Sequence, residues 1–363
     1  MTEMTDTSST RLTGLTGLTL DTALRLDAAE AARRLGKQPG SLSVPELASA
    51  LRDAGAPAVV ITGNPHDWLD TPHATGWLTR PRTGPADHAE RFERARRAGW
   101  VVADAAVLAR LPDGAGALDL PVLSVDDQPL PWVAPLGVPH AWGVYAIVDS
   151  AERVRACAEA GVGLVQLRIK ARRDDPSVEP EIRAALDAVR AARGTTLVVN
   201  DHWRTALNLD APALHLGQED WLALRPTERT TIAAAQARGL QLGMSSHSLW
   251  ELCRARGAGA DLIACGPVWP TTTKDMPWHA QGLDNLAWWV RLAGRPVIAI
   301  GGVLAPEQLE QCAATGAATV CVVRGLGDDP RATLPRWQRA WDAGHALPRR
   351  PAPAWPHATL AAD

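Results

Sequence analysis

Positively charged side chains follow short apolar segments in the second half of the chain, at positions where they could bind phosphate groups. They are Arg168, Lys170, Lys274 and Arg324. Guanidinium and ammonium groups gathered at one place suit phosphate oxygens, and lysine supplies a compact charge that arginine does not reproduce. Lysine is rare here, since only Lys37, Lys170 and Lys274 are found among the 37 basic residues. Two of these three fall in the basic set, which favours a functional role for them.

Two carboxylates and a glycine pair follow other apolar segments of the same region. Asp201 and Asp220 come from adjacent segments and could share one hard cation. Mg²⁺ prefers a couple of carboxylates together with phosphate oxygens and waters, and without a metal these acids would repel a phosphorylated substrate. Gly301–Gly302 is typical of a loop whose backbone N–H groups hold phosphate. The residues therefore predict a diphosphate with Mg²⁺ and a second, monophosphorylated substrate.

The elements that must position these residues alternate between short apolar strands and helical segments. Eight strands are predicted, at 143–149, 163–170, 196–201, 213–218, 242–247, 262–268, 296–303 and 319–325. Such alternation indicates parallel strands joined by crossover helices, and eight units in about 200 residues match a (β/α)8 TIM barrel. An open doubly wound sheet is the alternative, but no GxGxxG follows the first strand. Catalytic groups of such barrels lie at the carboxyl ends of the strands.

Within this barrel, the strand ends supply the candidate residues. Gln166, Arg168 and Lys170 alternate along the second strand, so we expect them to face one side. His215, in the middle of a strand, is interpreted as an interior histidine, whereas His247 is left open between structure and function.

A smaller α/β segment is expected before the barrel. The predicted division is a flexible tail (1–20), an α/β segment (21–112), a linker rich in Pro, Gly and Asp (113–140), the barrel (141–345) and a C-terminal tail (346–363). In the second part the helix of SVPELASALRDAG should be capped by Ser43, with Glu46 three residues on. The segment APAVVITG predicts a buried strand.

Composition narrows the class of protein. The net charge is −3, which gives no electrostatic reason to expect nucleic acid or an anionic membrane as a partner. The polar N-terminus lacks the apolar region of a secretory signal, and no stretch of about 18 apolar residues follows. The five cysteines form no CxxC pair and are interpreted as buried thiols of a reducing compartment. We expect a cytoplasmic enzyme of small molecules, while the oligomeric state is left open.

Residues 143–326 resemble the thiamine phosphate synthase family almost from end to end. The matching motifs are VQLRIK (165–170), VND (199–201), HLGQED (215–220), GMSSH (243–247), GPVWPTTTK (266–274) and AIGGV (299–303). The resemblance implies that 4-amino-2-methyl-5-(diphosphooxymethyl)pyrimidine reacts with 4-methyl-5-(2-phosphooxyethyl)thiazole, or its carboxylated form, to give thiamine phosphate and diphosphate. It also implies a dissociative, Mg²⁺-assisted mechanism.

The resemblance assigns roles residue by residue. The pyrimidine diphosphate would be bound by Gln166, Arg168, Lys170, Asn200, Ser245 and Lys274. The thiazole phosphate would be bound by Thr271, Thr272, Thr273, Gly302, Val323 and Arg324. Arg168, Lys170, Lys274 and Ser245 would be the catalytic group, and Asp201 and Asp220 would hold Mg²⁺. One departure is Arg324, because the family commonly has serine there; the arginine could add a phosphate contact, or could turn away and pair with Glu or Asp.

The N-terminal segment resembles, more faintly, the C-terminal half of hydroxymethylpyrimidine (phosphate) kinase, a ribokinase-like fold. The HGTGC stretch of that family would be expected near His88, where this chain reads ADHAERFERA. Because the anion-binding glycines are missing, we expect a degenerate kinase remnant without pyrimidine kinase activity.

Two other functions compete with the synthase. A thiazole tautomerase of the same barrel family would bind one phosphate and move a proton, with no need of two metal carboxylates. A non-catalytic protein that senses thiamine intermediates, with the N-terminal segment as its partner-binding arm, is the second alternative, and the intact set of ligand-binding residues argues against it. Mg²⁺-dependent release of diphosphate would exclude both.

Overall fold

The computed structural model describes residues 22–81, 84–136, 141–172, 174–271 and 277–362. These residues form two sheets, one of them a closed barrel. Residues 22–81 and 84–136 are called the N-terminal segment from here on. Its elements are β1 (Leu24–Asp27), α1 (Ala28–Arg34), α2 (Val44–Asp53), β2 (Val59–Thr62), β3 (His66–Asp70), β4 (Thr75–Thr79), α3 (His88–Arg97), α4 (Val102–Arg110) and β5 (Val122–Leu123). The tail expected at 1–20 lies outside the described residues.

The N-terminal segment folds around a five-stranded sheet in the order β1-β2-β3-β4-β5. β1 and β2 are parallel, and the remaining neighbours are antiparallel. β2 reads VVIT, and β-branched side chains of this kind suit a strand. The predicted start of α2 is confirmed, because Ser43 and Glu46 form a complete capping box.

Residues 113–136, which fall in the segment expected to be a linker, pack against both parts of the molecule. β5 pairs with β4, with Leu78 opposite Leu123. The buried Arg256 of the barrel donates to the carbonyl oxygens of Ala117 (2.6 Å) and Val133 (2.7 Å). Gly257 lies so close to β5 that a Cβ there would be 2.8 Å from the Leu123 carbonyl oxygen. The segment therefore ties the sheet to the barrel.

The barrel consists of eight parallel strands in the closed order β10-β11-β12-β13-β6-β7-β8-β9. Its first half is β6 (Gly143–Val148), α5 (Ala151–Ala160), β7 (Leu164–Leu167), α6 (Val178–Ala192), β8 (Thr196–Asn200), α7 (Trp203–Asn208), β9 (Ala213–Leu216), α8 (Gln218–Leu222) and α9 (Pro226–Gln236). Its second half is β10 (Gln241–Ser246), α10 (Leu249–Gly257), β11 (Leu262–Cys265), α11 (Gly282–Leu292), β12 (Val297–Ala299), α12 (Pro306–Ala314), β13 (Thr319–Val322) and α13 (Pro330–Ala346). The eight predicted strands and the barrel are confirmed.

The strands divide their side chains between the barrel interior and the surrounding helices. Tyr145, Leu164 and Cys321 belong to an interior cluster, whereas Val144 and Val165, their chain neighbours, belong to the core under the helices. This is the period of two that a strand imposes. The interior is thus filled by side chains, and an open cavity lies above them, at the strand ends.

Residues 350–362, part of the expected C-terminal tail, lie along α11. Asn285 bonds to the backbone of His357 with both side-chain atoms, and Trp288 donates to the carbonyl oxygen of Pro353 (2.7 Å). Arg350 pairs with Asp284 (2.8 Å). This part of the tail is therefore held against the barrel.

Among the described residues, no helix combines the length and apolar character that a membrane span requires. All five cysteines are described, and each is a buried free thiol. Burial raises the pKa of Cys157 to about 11.

Candidate active site

A cavity of about 260 Å³ opens at the carboxyl ends of the barrel strands. Most of the residues predicted for the site lie in its wall. They are Gln166, Arg168, Asn200, Asp201, Asp220, Ser245, Thr271, Gly302, Val323 and Arg324. The predicted Thr272, Thr273 and Lys274 lie outside the described residues. The residues predicted from the strand ends therefore lie together around one cavity, and their roles stay predictions.

The expectation that Gln166, Arg168 and Lys170 share one strand face is wrong. β7 ends at Leu167, so only Gln166 belongs to the strand, where its Nε2 donates to the Tyr145 hydroxyl (2.8 Å). Arg168 makes a last backbone bond to the Val148 carbonyl oxygen, and the chain then leaves the sheet. Arg168 still reaches the cavity, whereas Lys170 lines the cleft beside it.

This neighbouring cleft of about 400 Å³ is rich in cations. Arg153 and Lys170 line it, and Arg168 and Arg324 border both the cleft and the cavity. Among the described residues, the acids that line it are Asp149 and Asp328. Asp328 pairs with Arg153 (3.0 Å). The excess of positive charge makes the junction of cleft and cavity suitable for a phosphorylated group.

The two predicted metal ligands reach the cavity from neighbouring strand ends. Asp201 follows β8 with a φ of 61°, a left-handed conformation that Asp and Asn tolerate better than most residues. Its N–H donates to the carbonyl oxygen of His215 (3.0 Å). Asp220 lies in α8 beside Glu219, an acid that the sequence analysis did not single out. This donor set fits Mg²⁺, which takes few carboxylates and completes its shell with water and phosphate oxygens.

His215 is an interior residue, as interpreted, but it also borders the cavity and orients Ser245. Its Nε2 lies 3.0 Å from the Ser245 Oγ. Burial lowers the pKa of His215 to about 4, with only partial opposition from Asp220, so the ring is neutral at pH 7. Gly243 faces this ring, and a Cβ there would lie 2.7 Å from the His215 Nδ1. A side chain at Gly243 would displace the imidazole.

His247, left open by the sequence, also lies in the cavity wall. Its Nδ1 is 2.9 Å from the Oε2 of Glu251, and the same oxygen accepts from the His247 N–H (2.6 Å). Its ring stacks on Trp278, with centroids 5.2 Å apart. Both contacts fix the imidazole, so His247 presents a rigid wall to the cavity.

The glycine pair adopts conformations that other residues would strain. Gly301 and Gly302 have φ values of 92° and 74°. A Cβ on Gly301 would lie 2.6 Å from the Cβ of Pro267, and one on Gly302 would lie 2.6 Å from the Cβ of Trp269. Glycine is required for this tight turn, which keeps the backbone accessible at the cavity.

Some residues of the cavity wall and its support could not be recognised from the pattern of strand ends. Ile147, Ala264 and Ile300 line the cavity with apolar surface, and such residues are indistinguishable from core in a strand pattern. Gln218, expected at a strand end, begins α8 instead. It is buried, and its Nε2 donates to the Ser245 carbonyl oxygen (2.6 Å), so it supports the strand that carries Ser245.

Comparison with known proteins places this barrel in a family. The family model described as thiamine monophosphate synthase matches residues 144–326, just over half of the chain. A thiamine-phosphate synthase of Rhizobium etli is 42% identical over 200 residues, which cover 54% of this chain and 93% of the relative. One from Neisseria meningitidis serogroup A is 40% identical over 201 residues, covering 54% of this chain and 94% of the relative.

Among solved structures, a thiamine phosphate pyrophosphorylase from Pyrococcus furiosus aligns with a TM-score of 0.47 and 28% identity. The alignment covers 56% of this chain and 96% of that structure. With the family match and relatives covered nearly in full, the chain belongs to the thiamine monophosphate synthase family.

Proposed function

We propose that this chain is a thiamine-phosphate synthase. It would join 4-amino-2-methyl-5-(diphosphooxymethyl)pyrimidine to 4-methyl-5-(2-phosphooxyethyl)thiazole, or its carboxylated form, and release diphosphate. The carboxylated form would also lose its carboxyl group as carbon dioxide. The single observation that carries the proposal is the gathering of Arg168, Asp201, Asp220, Ser245 and Arg324 around one cavity in a barrel of this family. Cations and acids in one wall suit a substrate that carries phosphate together with a metal.

The pyrimidine diphosphate would lie on the side of β7, β8 and β10. Arg168 and Lys170 would hold the diphosphate at the junction of cavity and cleft, with Lys274 as the third cation. Asn200 and Ser245 would contact the pyrimidine part of the substrate. Asn200 is buried, and the Ser245 hydroxyl is hydrogen-bonded to His215, so both side chains are held in place before the substrate arrives, which is what orientation of a reacting group requires.

Asp201 and Asp220 would hold Mg²⁺ in this arrangement. When bound, the metal supplies positive charge that neutralises the departing diphosphate. The protein's own contribution is to keep these two carboxylates at the cavity wall, one fixed by the left-handed turn at Asp201 and the other by α8.

The thiazole phosphate would lie on the side of β12 and β13. The backbone of Gly302 and the side chain of Arg324 would contact its phosphate, with Val323 against the ring. Thr271, Thr272 and Thr273 would bind the same substrate, as the family resemblance implies. An arginine at 324 supplies a charged donor where relatives commonly have a hydroxyl, which should strengthen phosphate binding.

The reaction that these positions favour is dissociative. The bond between the pyrimidine methylene carbon and the diphosphate oxygen breaks, and Arg168, Lys170 and Lys274 stabilise the charge that develops on that oxygen. The aminopyrimidine stabilises the methylene cation. The thiazole nitrogen, held close, donates its electron pair to that carbon, so that thiamine phosphate forms while diphosphate leaves.

Ser245 acts as a hydrogen-bonding group in this proposal and not as a nucleophile. A general base works best when its pKa lies near the working pH, and the pKa of His215 is about 4. His215 would therefore remove a proton from Ser245 poorly at neutral pH. It suits the task of holding the hydroxyl in one orientation.

The decisive experiment incubates the purified protein with both heterocyclic phosphates and Mg²⁺, and follows diphosphate and thiamine phosphate. We expect both products in equal amounts, and neither when one substrate or the metal is omitted. Proton movement on the thiazole without diphosphate release would support the tautomerase instead. Binding of both ligands without turnover would support a sensor.

Three further expectations accompany the proposal. The degenerate kinase resemblance of the N-terminal segment predicts that the pyrimidine alcohol and ATP give no phosphorylated product. The partners are small molecules, and neither nucleic acid nor membrane has a role. A cytoplasmic location remains a prediction from the sequence.

A further inference from the structure

Helix α10 connects the candidate site to the N-terminal segment. The strand before it, β10, carries Ser245, and His247 follows that strand directly; both line the cavity. α10 starts at Leu249, only two residues after His247. A shift of the first turn of α10 would therefore move this wall of the cavity.

The first turn of α10 is capped by a residue from outside the barrel. Asp104 on α4 is 1% exposed, and its Oδ1 accepts from the N–H groups of Leu249 (2.8 Å) and Trp250 (3.2 Å). The first N–H groups of a helix lack partners inside the helix, and a carboxylate there also meets the positive end of the helix dipole. Asp104 thus fixes the start of α10 from a position that the family match, residues 144–326, does not include.

Within the barrel, the same turn holds His247. Ser248 accepts from the Glu251 N–H (3.3 Å), and Glu251 in turn binds both the backbone N–H and the Nδ1 of His247. The carboxylates of Asp104 and Glu251 therefore bind residues of the same short segment, 247–251.

A second connection runs through aromatic rings. His73, in the turn between β3 and β4, stacks on Trp250 with centroids 5.5 Å apart. Trp250 packs on Trp278 (5.5 Å), and Trp278 stacks on His247 (5.2 Å). Ring contacts thus continue from the N-terminal sheet to the wall of the cavity.

We propose that the N-terminal segment positions the pyrimidine side of the synthase site, with Asp104 and His73 holding the first turn of α10 and, through it, Ser245 and His247. Asp104 and His73 are positioning residues, because they act through α10 and not on the substrate. This inference rests on the proposed function, which places the pyrimidine diphosphate against Ser245.

The carboxylate of Asp104 favours a role in positioning α10 over a role in packing alone. An apolar side chain would suffice to fill the space between α4 and α10. A buried carboxylate is costly unless it is bonded, and Asp104 is bonded to two backbone groups whose places it defines. Small misplacements of binding groups weaken catalysis strongly, so a fixed helix start has a direct effect on substrate binding.

The test compares Asp104→Ala with Asp104→Asn in the full chain. Asp104→Ala removes the acceptor and should raise the KM of the pyrimidine diphosphate by about three- to tenfold. The KM of the thiazole phosphate should change by less than about twofold, because Gly302 and Arg324 follow other strands. Asp104→Asn keeps an acceptor oxygen and should restore most of the loss. Titration calorimetry of the pyrimidine diphosphate should show the same order of affinities.

A matched control is Asp27→Ala. Asp27 also accepts from a first-turn N–H, that of Glu30 (2.8 Å), but on α1, which packs on α2 and the N-terminal strands. We expect this variant to lose some stability while both KM values stay unchanged. An equal rise in the pyrimidine KM for Asp27→Ala, or no rise for Asp104→Ala, would overturn the positioning role.

The pair His73→Ala and His73→Phe serves if Asp104→Ala does not fold. Phenylalanine keeps a ring against Trp250 and should leave the pyrimidine KM near that of the unaltered protein, whereas alanine should raise it. Equal values for the two variants would contradict the inference. If the unaltered protein bound the pyrimidine diphosphate but did not convert it to product, the proposed function would fail. The calorimetric comparison of the variants would still test the positioning role of Asp104 and His73. Without such binding, both would fail.

Discussion

The stability of the folded protein should depend on the protonation of His215, whose ring is buried in the barrel. Because burial lowers its pKa to about 4, the folded protein binds fewer protons than the unfolded chain between pH 4 and about 6.5. The free energy of unfolding should therefore fall as the pH falls through this window, by up to about 3 kcal/mol from this residue. Urea unfolding at pH 7.5 and at pH 5 measures this loss of unfolding free energy. The His215→Gln variant is the control. An equally steep pH dependence in the variant would show that other groups cause it.

The metal site can be tested by a substitution at Asp201 that removes the negative charge and keeps the backbone conformation. Asp201→Asn keeps a residue that tolerates the left-handed backbone, so the fold should be retained while one anionic ligand is lost. We expect the Mg²⁺ concentration for half-maximal activity to rise about tenfold or more. The control is Asp210→Asn, since Asp210 also has a positive φ (52°) and does not line the cavity. An unchanged Mg²⁺ requirement in Asp201→Asn would remove this residue from the metal site.

Several charged and polar residues of the site could be predicted from the sequence, because each lies at the end of an apolar strand segment. Arg168, Asp201 and Ser245 were found in this way, and all line the cavity. The apolar wall of the cavity could not be predicted, because Ile147 and Ile300 fit the same strand pattern as core residues. Lys170 was placed on a strand because the alternation of VQLRIK continues past Leu167, where the ladder ends. Periodicity shows which side chains alternate, but it does not show where a strand stops.

At the scale of elements, the same limit holds for segments whose stabilising contacts come from distant parts of the chain. The eight barrel strands and the capped helix α2 were predicted because each has its own periodicity or cap. Residues 113–136 carry turn residues throughout, so their composition predicts a linker. The contacts that hold them come from Arg256, more than a hundred residues away in the chain. A contact at that separation leaves no local pattern.

Arg256 should therefore contribute to stability through this segment. Arg256→Met keeps much of the buried volume but leaves the carbonyl oxygens of Ala117 and Val133 without their donors, which should lower the free energy of unfolding by about 2–4 kcal/mol. Urea unfolding measures the loss. Arg183→Met, which removes only an exposed pair with Glu179, should cost under about 0.5 kcal/mol. Similar losses in both variants would contradict a specific role for Arg256.

Over the whole molecule, the N-terminal segment and the barrel share one core. A single cluster of buried side chains includes Leu78, Phe92 and Trp100 from the first part and Trp250 and Leu252 from the second. Elements that share a core should unfold together. We expect one calorimetric transition whose measured enthalpy equals the van't Hoff enthalpy, and two resolved transitions would show that the parts are independent.

The contact between α4 and α10 also bears on protein engineering. A barrel excised at residue 141 would lose the Asp104 carboxylate and expose the buried residues of α10, among them Trp250. A minimal version of this protein would therefore need a new acceptor for the N–H groups of Leu249 and Trp250, and polar replacements along α10. Conversely, a related barrel that lacks such a segment could not receive this α10 by transplantation unless Asp104 and its helix were transferred with it.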